Sequence, residues 1–382
     1  MIQKKLSKTG LYILAVTLTC IVACSKNSNP GTEPPVAGYD QKALLTNMAD
    51  NIIVPSYQQL STVADDLISA AQAFSADANT TTLTNLQNQW KAAYKTWIKC
   101  EPFNFGPADG TVMLENNINY WPAKPDLINT ELNGANALTD TYISGLGAQK
   151  KGFPAMEYLL FNRVNGNSAV LANFTTAAGA ARRKEYVTAL AVNISTNAKA
   201  VLAEWQNTYS ATFKNNTGTA LNSSLSLLLN NLIINLETSK NRRLGIPVGR
   251  KDNFTQVAAD PNAVEAPYTD FAIEFLTDNA AVMNNIFQGK YGATDGQGFD
   301  DYAAALKADN NGELLYLSIE KQFTAYTNVV AAIPPPLQNT VTTNPAPVDA
   351  AWVESKKLLV LLKVDLSSNL GILITFSDND GD

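Results

Sequence analysis

The stretch Gly152-Phe153-Pro154-Ala155-Met156-Glu157-Tyr158-Leu159-Leu160-Phe161 sets a helix-like apolar face around a single carboxylate, Glu157. Gly145, Gly147 and Gly152 break the chain ahead of it, so the helix is predicted to start close to Phe153. Proline costs ~3 kcal/mol in a helix interior but little in the first turn, so Pro154 is compatible with that start. Glu157 has two readings. It is a helix-side carboxylate favoured by the nearby N-terminal dipole by about 0.3–1 kcal/mol, or a ligand or hydrogen-bond acceptor facing a cleft.

Working outward, the dominant period stays helical. Leu44, Leu45, Met48, Ile52 and Ile53 begin an amphipathic run that Pro55 should kink or restart, and Tyr57 through Phe74 continue it. Thr80 to Thr82 offer an N-cap for a second run with Leu83, Leu86, Trp90, Tyr94 and Trp97 on one face. Glu101 to Pro125 reads as ordered but irregular, and Pro125 to about Leu132 as a short helix. Further helices are expected over Ala181–Phe213, Leu221–Leu236, Phe271–Phe287, Leu314–Val330 and Val348–Leu366. Pro334–Pro347 reads as a proline-rich linker, and only Ile372–Phe376 looks strand-like. The fold class is all-α, with helical bundles expected over 41–214 and 215–382.

Composition narrows the function. The 382 residues are enough for two or three domains, charged residues make up only 16%, and the net charge is −6. That balance argues against a nucleic-acid partner, which would need a concentrated basic face. The chain has no histidine, which excludes every mechanism built on an imidazole base or ligand. Lys4, Lys5 and Lys8 followed by the apolar run Leu11–Ala23 form an export signal, expected over residues 1–24. Ile21-Val22-Ala23-Cys24 looks like a bacterial lipobox with Cys24 as the lipidated residue; Cys20 fits the pattern less well. Residues 25–40 then form a flexible tether. With Cys24 consumed, Cys100 has no intramolecular disulfide partner. A lipid-anchored protein of the bacterial cell envelope is expected, at the outer membrane and facing the periplasm or the exterior.

Four landmarks in order carry a family resemblance: Cys100-Glu101-Pro102-Phe103-Asn104-Phe105-Gly106; Ile118-Asn119-Tyr120-Trp121-Pro122 with Asp126; the Gly152–Phe161 stretch; and Leu236-Glu237 through Arg243-Leu244-Gly245-Ile246-Pro247-Val248-Gly249. Together they resemble the imelysin-like family. The resemblance implies two helical bundles with a functional cleft between them, links to iron uptake, and peptidase activity in some members. It also places Glu101, Glu157, Glu237, Arg242 and Arg243 as candidate ligand-binding residues. The third landmark departs from the family's G-x-H-x-x-E pattern, because Pro154 stands where the histidine belongs.

Proline offers no ring nitrogen, so one of two ligands on the helical face is lost. Zinc hydrolysis of the usual kind needs about three protein ligands and an open water position. Glu157 remains the candidate metal residue, with an iron or calcium ion as the ion that carboxylates favour. For Arg242 and Arg243 the alternative is capping of the preceding helix and pairing with nearby acids. Trp97 and Trp121 read as core anchors. Asp295 to Asp301 and Asp378 to Asp382 read as solvated turns rather than calcium loops.

Three functions are expected, in order of preference. The first is a lipid-anchored envelope binding protein for an iron-related or other small ligand. The second is a non-catalytic scaffold that binds an envelope protein partner. The third is a metallopeptidase with altered ligands, and on this ordering an enzyme is the least expected outcome.

Overall fold

The computed structural model describes residues 39–250 and 256–375. The export signal with Cys24, nearly all of the tether, Phe376 and the Asp378–Asp382 cluster lie outside the described residues. The described residues form one compact unit. The architecture is all-α; the described residues add only two two-stranded hairpins, β1 (Lys290–Tyr291) with β2 (Thr294–Asp295) and β3 (Asp309–Asn310) with β4 (Glu313–Leu314).

Eight helices frame the described interior: α1 (Val54–Ala76), α2 (Thr80–Cys100), α3 (Gly152–Leu160), α4 (Ala180–Glu204), α5 (Ser224–Thr238), α6 (Ala272–Phe287), α7 (Leu315–Ala331) and α8 (Ala346–Val360). In α1 the residues Tyr57, Leu60, Ala64, Leu67, Ala71 and Phe74 recur at three- and four-residue spacing and are all buried. Each large side chain in such a stripe contributes about 1.5–3 kcal/mol relative to exposure. The cap of α2 falls one residue ahead of the expected Thr80–Thr82, at Asn79: its side chain accepts from the Thr81 and Thr82 amides, and the Thr82 hydroxyl accepts from the Asn79 amide. The main packing runs α4 on α1 and α1 on α2, then α6 on α7 and α7 on α8, with α2 on α6 joining the two groups.

The helices run on where the sequence suggested breaks. Gln41–Asn47 passes into α1 through a wide π turn, Met48–Ile53, and Pro55 sits in the first turn beyond it. A wide turn absorbs the missing proline N–H without a break. Similar turns extend α4 (Trp205–Tyr209), α5 (Ser239–Gly245) and α8 (Leu361–Leu366).

The proline-rich segment 334–347 is not a plain linker. It contains the helix Leu337–Thr343, with Leu337 and Val341 buried, and Gln338 donates to the Pro267 (3.1 Å) and Thr269 (2.9 Å) carbonyls. Prolines set where that helix begins and ends, while apolar burial keeps it docked. Residues 372–375 form no strand; the Thr375 amide donates to the Asn230 side chain at 2.9 Å instead. Among the described residues no helix is long and apolar enough to cross a membrane.

Candidate functional site

Helix α3 is fixed at both ends by α2. The Trp90 indole donates to the Phe153 carbonyl (3.1 Å) and the Gln87 amide to the Leu160 carbonyl (2.7 Å). At its start Gly152 has φ +73°, and a Cβ there would lie 2.3 Å from the Ile118 carbonyl oxygen, so only glycine fits. The helix begins at Gly152, which puts Pro154 in the first turn, where amides lack intrahelical partners.

Glu157, one helical turn on, is 2% exposed. Its Oε1 accepts from the Tyr268 amide at 2.7 Å, and the nearby Thr269 amide also favours the charged form. Burial pushes its pKa up to about 8; the two amides work against this, and the neighbouring Glu265 adds to it. At neutral pH Glu157 is therefore mostly an uncharged acid, able to donate as well as accept.

Behind it lies a buried charge network. Arg243, 2% exposed, forks onto Glu265 (Nε to Oε2 2.7 Å, Nη2 to Oε1 3.1 Å) and reaches Glu101 through Nη2 (2.8 and 2.9 Å). The Tyr94 hydroxyl donates to Glu265 (2.7 Å), and the Asn279 amide donates to Glu101 (3.2 Å) and Asn235 (2.9 Å). Burial opposes the Arg243 charge, but Glu101 and Glu265 more than offset that and hold its pKa above the ordinary value. The wide turn Ser239–Gly245 sends the two adjacent arginines different ways. Arg243 points into the core, while Arg242 donates to the Trp121 carbonyl (2.6 Å) and its guanidinium stacks 4.2 Å from the Trp121 ring centre.

Glu157 lies in the wall of a cavity of about 710 Å³, within the usual range for a small-molecule site. Trp121, Pro122, Pro154 and Pro267 supply rigid apolar wall, and Tyr158 and Tyr268 pack edge to face (5.4 Å) beside it. Its polar lining residues include Asn129, Asn162, Asn165, Asn173, Asn262, Arg163 and Arg183. This donor set does not fit an ion held by protein ligands alone. Glu157 is the one carboxylate among the described lining residues, and no three of Asp, Glu, Cys and His converge anywhere among them.

Of the residues singled out from sequence, Glu101 and Arg243 are in direct contact and Glu157 is one carboxylate away. Glu237 is buried at the end of α5, where Lys363 pairs with it at 3.3 Å. Trp97 is core, as expected, whereas Trp121 is buried yet forms cavity wall. Sequence reasoning missed Glu265, Tyr94, Asn279, Arg163 and Arg183. A polar Asn279 amid the buried Phe275, Leu276, Ala280 and Met283 of α6 was a usable signal, since buried amides need partners. Glu265 lies outside any helix and offered none.

An all-α fold wrapped around a buried arginine–carboxylate network, with a cavity against α3, defines the structural class. Residues 53–353 match the family model for imelysin, and the chain belongs to that family. It is 20% identical over 312 residues to iron-regulated protein A of Synechococcus elongatus, covering 78% of each chain. Two crystal structures share the fold. One is an imelysin-like protein from Psychrobacter arcticum 273-4 (TM-score 0.68, 20% identity, 88% of this chain and 96% of that one). The other is an iron-regulated protein A precursor from Parabacteroides distasonis (TM-score 0.71, 18% identity, 88% and 98%).

Proposed function

We propose that this imelysin-family protein is a non-catalytic binding protein of the bacterial cell envelope that serves iron handling, with its ligand in the Glu157 cavity. The observation that carries this reading is Glu157 itself. A carboxylate held almost wholly out of water, fixed by a backbone amide and set in the wall of a ligand-sized cavity is costly unless the site uses it. The iron connection is supported by the names of the Synechococcus and Parabacteroides relatives. Export and anchoring are supported by the charged–apolar–small pattern ending at Cys24. Peptidase chemistry is disfavoured, because the chain has no imidazole and Pro154 faces the cavity where the family motif has histidine.

The test has two parts. Iron(III) complexes, haem and calcium are titrated against the mature protein by calorimetry and thermal shift, alongside Glu157→Ala. Abundance of the protein is followed in cells with and without an iron chelator. Binding of an iron species that Glu157→Ala weakens is expected; no binding together with iron-independent abundance rejects the iron role. For the anchor, Cys24→Ala is expected to abolish labelling by a fatty-acid probe, and retained labelling rejects lipidation there.

A further inference from the structure

If the Glu157 cavity is the binding site, as proposed for this protein, its lining also defines the class of ligand. We infer that the cavity takes an oxygen-rich small anion carrying several carboxylates, so that any metal enters as a chelate of that anion and not as a bare ion. Charge, donors and size each point this way.

Charge comes first. Two arginines, Arg163 and Arg183, are among the lining residues against the single lining acid Glu157, which burial keeps mostly uncharged at neutral pH. A bare divalent or trivalent cation meets repulsion there and no set of hard anionic ligands.

The donors come second. Arg183 spends Nη1 on the Ala178 carbonyl (3.0 Å), and Arg163 has one long contact to the exposed Asp270 (Nε, 3.8 Å). The other N–H groups of both forks make no hydrogen bond to the described residues, and a guanidinium fork matches a carboxylate in two-point fashion. The side chains of Asn173 and Asn262 make no hydrogen bond to the described residues, which adds amide donors and acceptors suited to hydroxyl and carboxyl oxygens.

Size comes third. About 710 Å³ is room for a molecule of many heavy atoms, far beyond a single ion.

Citrate is the probe, titrated calorimetrically into the mature protein in three arms: iron-free citrate, its iron(III) complex, and calcium or anaerobic iron(II) without chelator. Both citrate forms are expected to bind, with affinity falling as salt rises, and the bare cations to give no heat. Arg163→Gln combined with Arg183→Gln should weaken citrate at least tenfold, while the corresponding lysine pair retains part of the affinity. Both arginines are partly solvent-exposed, and an unchanged melting curve confirms that the variants fold. No citrate binding, citrate binding indifferent to the arginine pair, or binding of a bare cation overturns the inference. Binding of iron-free citrate with no binding of its iron(III) complex upholds the anion class while removing support for the iron role. Binding of bare iron(II) in place of citrate does the reverse.

Discussion

Replacing Glu157 by glutamine removes an ionisable group from a site that keeps it neutral. The amide retains an oxygen for the Tyr268 N–H, now bonded at 2.7 Å, and nearly the same volume. In the unfolded chain the carboxyl titrates near 4.5, whereas in the fold it titrates at about 8. Between those values the unfolded state releases a proton that the folded state keeps. Wild-type stability therefore falls as pH rises, by about 1.4 kcal/mol per pH unit. The loss amounts to roughly 3 kcal/mol from pH 4.5 to 7 and approaches ~5 kcal/mol above pH 8, where it levels off. Glu157→Gln lacks this loss, so its advantage over wild type should grow across the same interval. Urea unfolding of both proteins between pH 5 and 9 measures the difference. Asp300, whose pKa burial raises to about 7, titrates in both proteins and cancels in the comparison. A wild-type-minus-variant difference that stays flat from pH 5 to 8 would show that Glu157 is solvated or paired in a way the structure does not have.

Removing the charge of Arg243 by Arg243→Met strands Glu101 and Glu265 in the core and should cost about 3–5 kcal/mol, read as a drop in urea midpoint. Adding Glu101→Gln and Glu265→Gln to that variant should recover part of the loss, because the uncompensated charges are then gone. Gly152→Ala should destabilise by more than the ~1–3 kcal/mol of backbone strain alone, since its Cβ also meets the Ile118 carbonyl; a melting temperature equal to wild type contradicts the packing described. Asp300→Asn should leave stability unchanged at acid pH below the ordinary carboxyl range and raise it progressively as pH climbs from there to about 7, above which the gain levels off, because wild type loses stability over that interval. A gain confined to acid pH would reverse the sign and refute the buried-acid assignment.

Much of the scaffold was legible because helices report themselves locally. The stripe in α1, the polar start of α2 and the glycine lead-in to α3 are short-range signals; each element formed close to where its period or break predicted, with the α2 cap at Asn79, just ahead of the expected Thr80–Thr82. Pro154 was readable for the same reason: its tolerance depends only on its distance from the helix start. The sequence overestimated the breaks at Pro55 and across residues 334–347, because a wide turn and tertiary docking outweighed local punctuation. Glu101, Glu157 and Arg243 could be picked out singly through the family resemblance, but their partners could not. Glu265 is 22 residues from Arg243 and 171 from Tyr94, so nothing local connects them.

By itself, then, the sequence determined an all-α chain with a proline where an imidazole would be needed and no histidine anywhere to replace it. Helical period, caps and composition are properties of neighbours along the chain, so they survive without a structure. The tertiary structure decided that Arg242 and Arg243 part company, that Glu237 pairs away with Lys363, and that Glu157 is an uncharged acid in a cavity rimmed by arginine and asparagine. Burial and the sign of the local field arise only when distant segments enclose the same space.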